Sequence, residues 1–180
     1  MGVMNWRDLT AAALASEVDA QTVAVLPLGA TEQHGPHLPL GTDTVIADGL
    51  VDSALKALPM GLSVLRLPTL SLGQSLEHTA YPGTLTLSST TFQGMLNDLG
   101  DAVARAGCRR LVLFSSHGGN LADAETMALA LRARHAMLVV KACYFDFPPP
   151  VTDPLPEREQ REGLHGGALE TALMLHYAPE

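Results

Sequence analysis

Charged, aromatic and cysteine residues are all scarce in this chain. Charged residues make up 17% and aromatic residues 4% of its 180 positions, whereas hydrophobic residues make up 47%. So much apolar surface excludes general disorder and predicts a compact core. The two cysteines, Cys108 and Cys143, form neither a C-x-x-C pair nor the framework of a small secreted domain, which favours a reduced, cytoplasmic protein.

Positive charge and long apolar runs are also lacking. Lys and Arg number 11 against 19 Asp and Glu, which leaves a formal net charge of -8. That balance opposes binding to phosphate backbones, so nucleic acid is not an expected partner. No apolar run approaches the roughly 20 residues that cross a bilayer, and the N-terminus lacks the apolar region of a signal peptide. We therefore expect no membrane partner.

Short apolar segments alternate with amphipathic ones along the chain. Residues 22–28 form a nearly continuous apolar run with β-branched residues, as expected of a strand buried on both faces. Similar strands are predicted at 63–67, 111–114 and 138–143, and the length fits one domain over 1–180. Strands that alternate with helices predict an α/β fold, a three-layer sandwich with a mostly parallel central sheet flanked by helices.

Helices are predicted between these strands from apolar spacing and capping residues. The clearest pattern spans 92–106, with Ser88 or Ser89 as its cap. Another helix follows Thr42 or Asp43, either of which can cap it. The remaining predictions are helices through 127–131 and over 168–177, and a proline-rich surface loop or flap at 147–163.

Polar side chains follow the predicted strands, at the edge where parallel sheets hold their ligands. Glu32 and His34 are two positions apart, and in extended backbone such side chains point the same way, so both can reach one ion. The full set is Glu32, His34 and Asp43 after the first strand, His117 after the third, and His165 with Glu170 after the proline-rich segment.

Imidazole and carboxylate ligands together favour Zn, Mn or Fe over Mg or Ca. One or two ions fit this set, and Asp43 is the candidate to bridge a pair. The residues alone also allow a simpler interpretation, in which Glu32 and His34 are solvated loop residues and Asp43 only caps a helix.

The segment around His117 likewise has two interpretations. It can be a tight turn in which Asn120 caps the following helix. It can also bind a ligand, because Gly118 and Gly119 allow the backbone to come close to one.

Four sequence blocks, in this order, resemble the creatininase family of amidohydrolases. The first block, 27–43, reads PLGATEQHGPHLPLGTD. The resemblance covers nearly the whole chain from about Val23 onward. The other blocks are Glu77-His78 with Pro82-Gly83-Thr84, Ser116-His-Gly-Gly-Asn120, and His165-Gly-Gly-Ala-Leu-Glu-Thr-Ala-Leu-Met-Leu175.

The resemblance implies roles for several of these residues. It implies metal ligands at Glu32, His34 and Asp43, with His117 completing the site of one ion. It implies that His165 transfers protons, which suits an unliganded imidazole with a pKa near 6.5. The expected activity is cleavage of a non-standard, linear or cyclic amide C–N bond of a small molecule by metal-activated water. The family also implies a homo-oligomer, with a hexamer as the expected assembly.

Other positions in the blocks have less defined roles. Glu170 can ligate a second ion, accept a hydrogen bond from a ligand histidine, or cap a helix as a carboxylate in its first turn. Glu77, His78, Gly118 and Gly119 are candidates for the substrate pocket, although Glu77 and His78 can also be ordinary loop residues.

The chain departs from the creatinine-cleaving members of this family. Gly119 stands where they carry a Glu that binds the second ion, and Arg161 and Leu164 stand where they carry a Trp and an acidic residue. The single tryptophan is Trp6, far away in sequence. These differences argue against creatinine as the substrate, because a flat ring favours an aromatic wall.

Three alternatives to a creatinine hydrolase follow from the same resemblance. Members with the His-Gly-Gly-Asn form resemble a formamide hydrolase of cofactor biosynthesis or the peptide-cleaving enzyme of the mycofactocin system. A non-catalytic ligand-binding or structural homologue is the third. Family domains also continue past the last block, so we expect this chain to lack the C-terminal part of the domain.

Overall fold

A computed structural model describes residues 2–147 and 155–179, and within them five strands form one sheet. Every neighbouring pair of strands is parallel, in the order β1-β3-β2-β4-β5, which confirms the predicted α/β fold. The strands are β1 Val3–Asn5, β2 Val23–Leu28, β3 Val64–Arg66, β4 Arg110–Ser115 and β5 Leu138–Cys143. The α-helices are α1 Ala11–Glu17, α2 Thr42–Lys56, α3 Ser89–Arg105, α4 Leu121–His135, α5 Glu157–Glu162 and α6 Ala168–Tyr177.

Helices cover both faces of the sheet. Successive side chains of β4 point to opposite faces of the sheet. Leu111 and Leu113 are buried in the main core with α3 and α4, whereas Val112 and Phe114 lie toward α2 and are only half-buried. Helix α6 packs on α2. None of the helices in the described residues is both long and apolar enough to cross a membrane.

One predicted helix cap is wrong, and a second residue occupies the cap position without bonding to the helix through its side chain. The residue before α2 is Gly41, and Asp43 lies inside the first turn of α2, where its side chain is buried. Asn120 makes no cap hydrogen bond to α4; instead its side chain accepts from the Gln74 backbone N–H at 3.1 Å and donates to the Gly29 carbonyl at 3.0 Å. Both residues therefore bind other loops, because tertiary partners outcompete the local cap.

The predicted loop at 147–163 is partly helical, since α5 covers Glu157–Glu162. This helix has no apolar periodicity and carries ion pairs between Arg158 and Glu162 and between Arg161 and Glu157, so the apolar pattern gave no signal for it. Residues 148–154 of the predicted loop lie outside the described residues. The cap of α3 was predicted well: the Ser88 side chain accepts from the Thr91 backbone N–H.

Candidate metal centre

The site lies where the direction of the chain through the sheet reverses. After β2 the chain moves to β3 on one side, and after β3 it crosses to β4 on the other side of β2. The carboxyl end of β2 is thus a topological switch point, where open parallel sheets bind ligands. The loops that follow β2, β3 and β4 meet there with the segment that precedes α6.

His117, which follows β4, has one ring nitrogen facing two carboxylates. Its Nδ1 lies 3.2 Å from Glu32 Oε1 and 3.4 Å from Asp43 Oδ2. Its Nε2 lies 2.8 Å from the Gln74 carbonyl oxygen, which can only accept a hydrogen bond. In the neutral ring Nε2 therefore carries the proton, and the Nδ1 lone pair is then available to a metal, as is usual for a ligand histidine.

His34 is oriented in the same way on the other side of Asp43. Its Nδ1 lies 3.1 Å from the Glu32 carbonyl oxygen, and its Nε2 lies 3.2 Å from Asp43 Oδ1. Ligand atoms of His34, Asp43 and Glu170 lie within 4.8 Å of one another, and all three residues are buried. The two carboxylate oxygens of Asp43 thus face two different histidines, which is the arrangement that a bridging ligand requires.

The buried charges of this cluster fit a divalent cation. Both oxygens of Glu32 and Oδ2 of Asp43 have no hydrogen-bond partner among the described residues, which is costly for buried carboxylates. Burial lowers the pKa of His117, but the Glu32 and Asp43 carboxylates outweigh burial and raise this pKa to about 9. A site that stabilises positive charge on an imidazole also favours a cation between these side chains.

Glu170 combines two of the interpretations that its sequence left open. It lies in the first turn of α6, and its Oε2 accepts from the Gly166 backbone N–H at 2.5 Å. Its Oε1 accepts from the Tyr144 hydroxyl at 3.1 Å. Burial raises the pKa of Glu170, and the nearby Asp43 adds to that rise. Glu170 is therefore a carboxylate in the first turn of its helix, bonded to the segment that precedes it, and also belongs to the buried cluster around His34.

His165 and His78 form a second layer toward solvent. The rings of His165 and His78 are stacked with centroids 4.1 Å apart, and the His34 ring lies 4.4 Å from His165 on its other side. His165 Nδ1 is 3.7 Å and His78 Nε2 is 3.5 Å from Glu32 Oε1. Both imidazoles can therefore exchange a proton with a molecule bound beside Glu32.

The structure brings Glu77 into the same cluster, with its Oε1 3.8 Å from His117 Nε2 and about half of its side chain exposed. The two glycines of the turn behave differently from one another. A Cβ atom on Gly119 would overlap the Gln74 carbonyl oxygen and the His117 ring, whereas one on Gly118 would meet nothing within 4 Å. The close approach at Gly119 is thus to the chain itself, and Gly118 lies in open space.

Three residues that contact the cluster are not predicted by the sequence motifs. Gln74 reaches His117 through its carbonyl oxygen, Tyr144 reaches Glu170, and Gln33 contacts both His78 and His165. Gln33 had a usable signal, because it lies between two predicted ligands. Gln74 and Tyr144 had none, because their contacts depend on loops distant in sequence.

The fold and the cluster together define an α/β protein with a candidate metal centre at the switch point of a parallel sheet. A family model described as creatininase, creatinine amidohydrolase, matches residues 4–180. The chain therefore belongs to the creatininase family. The match also includes two of the three residues of β1, ahead of the segment from Val23 onward in which the resemblance is visible.

Individual relatives agree with this assignment. The chain is 36% identical over 163 residues to the mycofactocin precursor peptide peptidase of Mycobacterium tuberculosis, an alignment that covers 86% of this chain and 58% of that protein. It is 32% identical to the creatinine amidohydrolase of Pseudomonas putida, covering 100% of this chain and 72% of the relative. A solved structure described as "Creatininase Mn" superposes with a TM-score of 0.76 at 31% identity, covering 98% of this chain and 74% of the other. The chain thus spans little more than half of the mycobacterial peptidase.

Proposed function

We propose that this chain is the metal-binding part of a hydrolase that cleaves an amide C–N bond with water. The observation that carries the proposal is Asp43, a buried carboxylate whose two oxygens face His34 and His117. One ion would be held by Glu32, Asp43 and His117, and a second by His34, Asp43 and Glu170. When bound, such ions polarise a carbonyl oxygen and lower the pKa of water nearby.

The other residues of the site orient the reactants and transfer protons. His165 Nδ1 is the nitrogen that takes a proton from the attacking water, and it passes that proton to the leaving nitrogen, so the imidazole ends neutral. His78 Nε2 and the exposed carboxylate of Glu77 border the same space and contact the substrate. Gly118 and Gly119 follow His117 in the chain, and the open space at Gly118 leaves room for a substrate beside the backbone there.

The substrate class that fits best is a linear amide, either a formamide or the end of a peptide, with a cyclic small-molecule amide as the alternative. The 36% identity to the mycofactocin precursor peptide peptidase favours the peptide. Creatinine fits poorly because the single tryptophan, Trp6, packs against the main core with α3 and α4. Gly119 also provides no carboxylate beside His117.

Metal analysis tests the centre before any substrate is known. Protein purified without chelators and dialysed against Zn²⁺ or Mn²⁺ should hold about two ions per chain. Glu170→Gln and His34→Ala should each lower that number to about one, since they remove ligands of the same ion. His37→Ala is the matched control, because His37 lies on the same loop but is exposed and contacts Thr171.

Turnover tests the reaction. The loaded protein should hydrolyse at least one member of a panel of formamides, peptides and cyclic ureides, and Glu32→Gln should abolish this. Two bound ions without turnover on the whole panel would favour a ligand-binding homologue. No bound metal, with Glu32 and His34 variants behaving like the wild type, would refute the proposal.

A further inference from the structure

We propose that Gln33 is a positioning residue that determines which ring nitrogen of His78 and of His165 carries the proton. The inference rests on the proposed function only in that these two imidazoles border the reacting groups. Gln33 lies between Glu32 and His34 in sequence, and its side chain contacts the rings of His78 and His165. Its carbonyl oxygen and its side-chain amide each contact an imidazole.

The orientation of the Gln33 amide is fixed by the backbone. Its Oε1 accepts a hydrogen bond from the Gly35 N–H at 2.9 Å. Gly35 has a φ of 71°, a left-handed conformation that glycine adopts without strain, so the chain can turn directly after this contact. With the oxygen held there, the NH₂ group of Gln33 must face the two rings.

This orientation determines the proton position on His78. Gln33 Nε2 lies 3.0 Å from His78 Nδ1. An amide NH₂ only donates, so His78 Nδ1 must accept and carry no proton. The neutral ring then has its proton on Nε2, the nitrogen 3.5 Å from Glu32 Oε1.

The backbone of Gln33 determines the proton position on His165. Its carbonyl oxygen lies 2.6 Å from His165 Nε2 and can only accept, so this nitrogen carries the proton. The Gln33 amide nitrogen is also 3.0 Å from His165 Nε2. If the amide donated to this nitrogen, the nitrogen would carry no proton, and the shorter contact with the carbonyl oxygen would have no hydrogen between its two acceptors. The unprotonated nitrogen of His165 is therefore Nδ1, 3.7 Å from Glu32 Oε1.

Gln33 thus makes two stacked imidazoles chemically different. Toward Glu32, His78 presents an N–H donor and His165 presents a lone pair. A donor and an acceptor side by side suit a reaction in which water loses a proton while an oxygen of the substrate gains negative charge. Free imidazoles in this position would interchange their tautomers and lose this division of roles.

Nuclear magnetic resonance of the ring nitrogens tests the assignment directly. In ¹⁵N-labelled, Zn²⁺-loaded protein, long-range ¹H–¹⁵N correlations should show both His78 and His165 protonated on Nε2. In Gln33→Glu a carboxylate replaces the donor at nearly the same size. His78 should then move its proton to Nδ1, while His165, which contacts the backbone carbonyl, should keep its proton on Nε2.

The control and the kinetics separate a positioning role from a structural one. Gln160→Glu makes the same change on the exposed helix α5 and should alter neither ring. With any substrate that is turned over, Gln33→Glu should lower kcat by about 10- to 100-fold, because partners of catalytic groups have effects of this size. Metal content should be unchanged.

Two outcomes would overturn the proposal: His78 protonated on Nδ1 in the wild type, or the same His78 tautomer in the wild type and in Gln33→Glu. The spectra require no substrate, so their result is independent of whether the amide hydrolysis is found. If Gln33→Glu does not fold, Gln33→Asn tests the same point, because the shorter amide cannot reach His78 and its tautomers should mix.

Discussion

At the residue scale, Gly119 has a larger effect than its missing side chain suggests. The Gln74 carbonyl oxygen fixes the tautomer of His117, and it can approach only because position 119 has no Cβ atom. Gly119 therefore contributes to the candidate metal centre through the space it leaves free. Adding a carboxylate at this position would displace the loop that contacts His117.

We expect Gly119→Ala to destabilise the protein by about 1–3 kcal/mol, because the new Cβ overlaps backbone that cannot move cheaply. The variant should also bind metal more weakly, since His117 loses its hydrogen-bond partner. Gly118→Ala is the matched control and should change the free energy of unfolding by less than about 0.5 kcal/mol. Urea denaturation and metal titration measure both effects, and equal behaviour of the two variants would contradict this account.

Some residues of the site can be predicted from the sequence, and others cannot. Glu32, His34, Asp43 and His117 could be selected because they lie just after apolar strands and belong to recognisable blocks. The role of Asn120 could not be predicted, because the loop at Gln74, which binds its side chain in place of the helix, is 46 positions away. A local preference for helix capping cannot reveal a distant carbonyl or N–H group that binds the same side chain better.

At the element scale, α3 and α4 cross at a glycine. A Cβ atom on Gly100 would overlap the side-chain methyl groups of Leu131, which is fully buried. Gly94 lies on the same helix with nothing within 4 Å of an added Cβ. The two glycines of α3 thus have opposite structural roles.

We expect Gly94→Ala to stabilise the protein by about 0.5–1 kcal/mol, because alanine loses less backbone entropy in a helix. Gly100→Ala should destabilise it by about 1–2 kcal/mol, because forcing Leu131 out of a packed core costs more than the helix gains. The melting temperatures of the two variants should therefore shift in opposite directions. A stabilised Gly100→Ala would show that this crossing has room to adjust.

Helices and strands with a clear apolar pattern are predicted more accurately than those without one. The strand at 138–143 and the helix at 168–177 were predicted with the observed bounds. The edge strand β1 is three residues long and mostly exposed, and α5 carries charges on every side, so neither has the periodicity that a buried face produces.

At the scale of the whole molecule, the described residues leave part of one face of the sheet uncovered. Between α2 and strands β2 to β4 lies a cavity of 260 Å³ whose lining is apolar. On the neighbouring strand β5, Leu138 is 57% and Val140 43% exposed. Apolar surface of this kind favours association.

We expect the 180-residue chain to bind apolar dyes and to self-associate as its concentration rises. Val140→Lys should reduce both, because it places a charge on the exposed face of β5. Leu129→Lys is the control, since Leu129 is 68% exposed on the opposite side, on α4. Sedimentation velocity over a concentration series distinguishes them, and an equal effect of both substitutions would point to general charge rather than to this face.

The sequence by itself determined the parallel α/β architecture and the edge of the sheet at which the polar blocks converge. Both follow from local properties: buried strands require continuous apolar runs, and the loops that leave them carry the blocks. Only the tertiary structure decided that Glu170 joins His34 and Asp43, that the Gln74 carbonyl contacts His117, and that Gln33 contacts both His78 and His165. These facts depend on distances of a few ångström between residues far apart in the chain, which no local pattern contains.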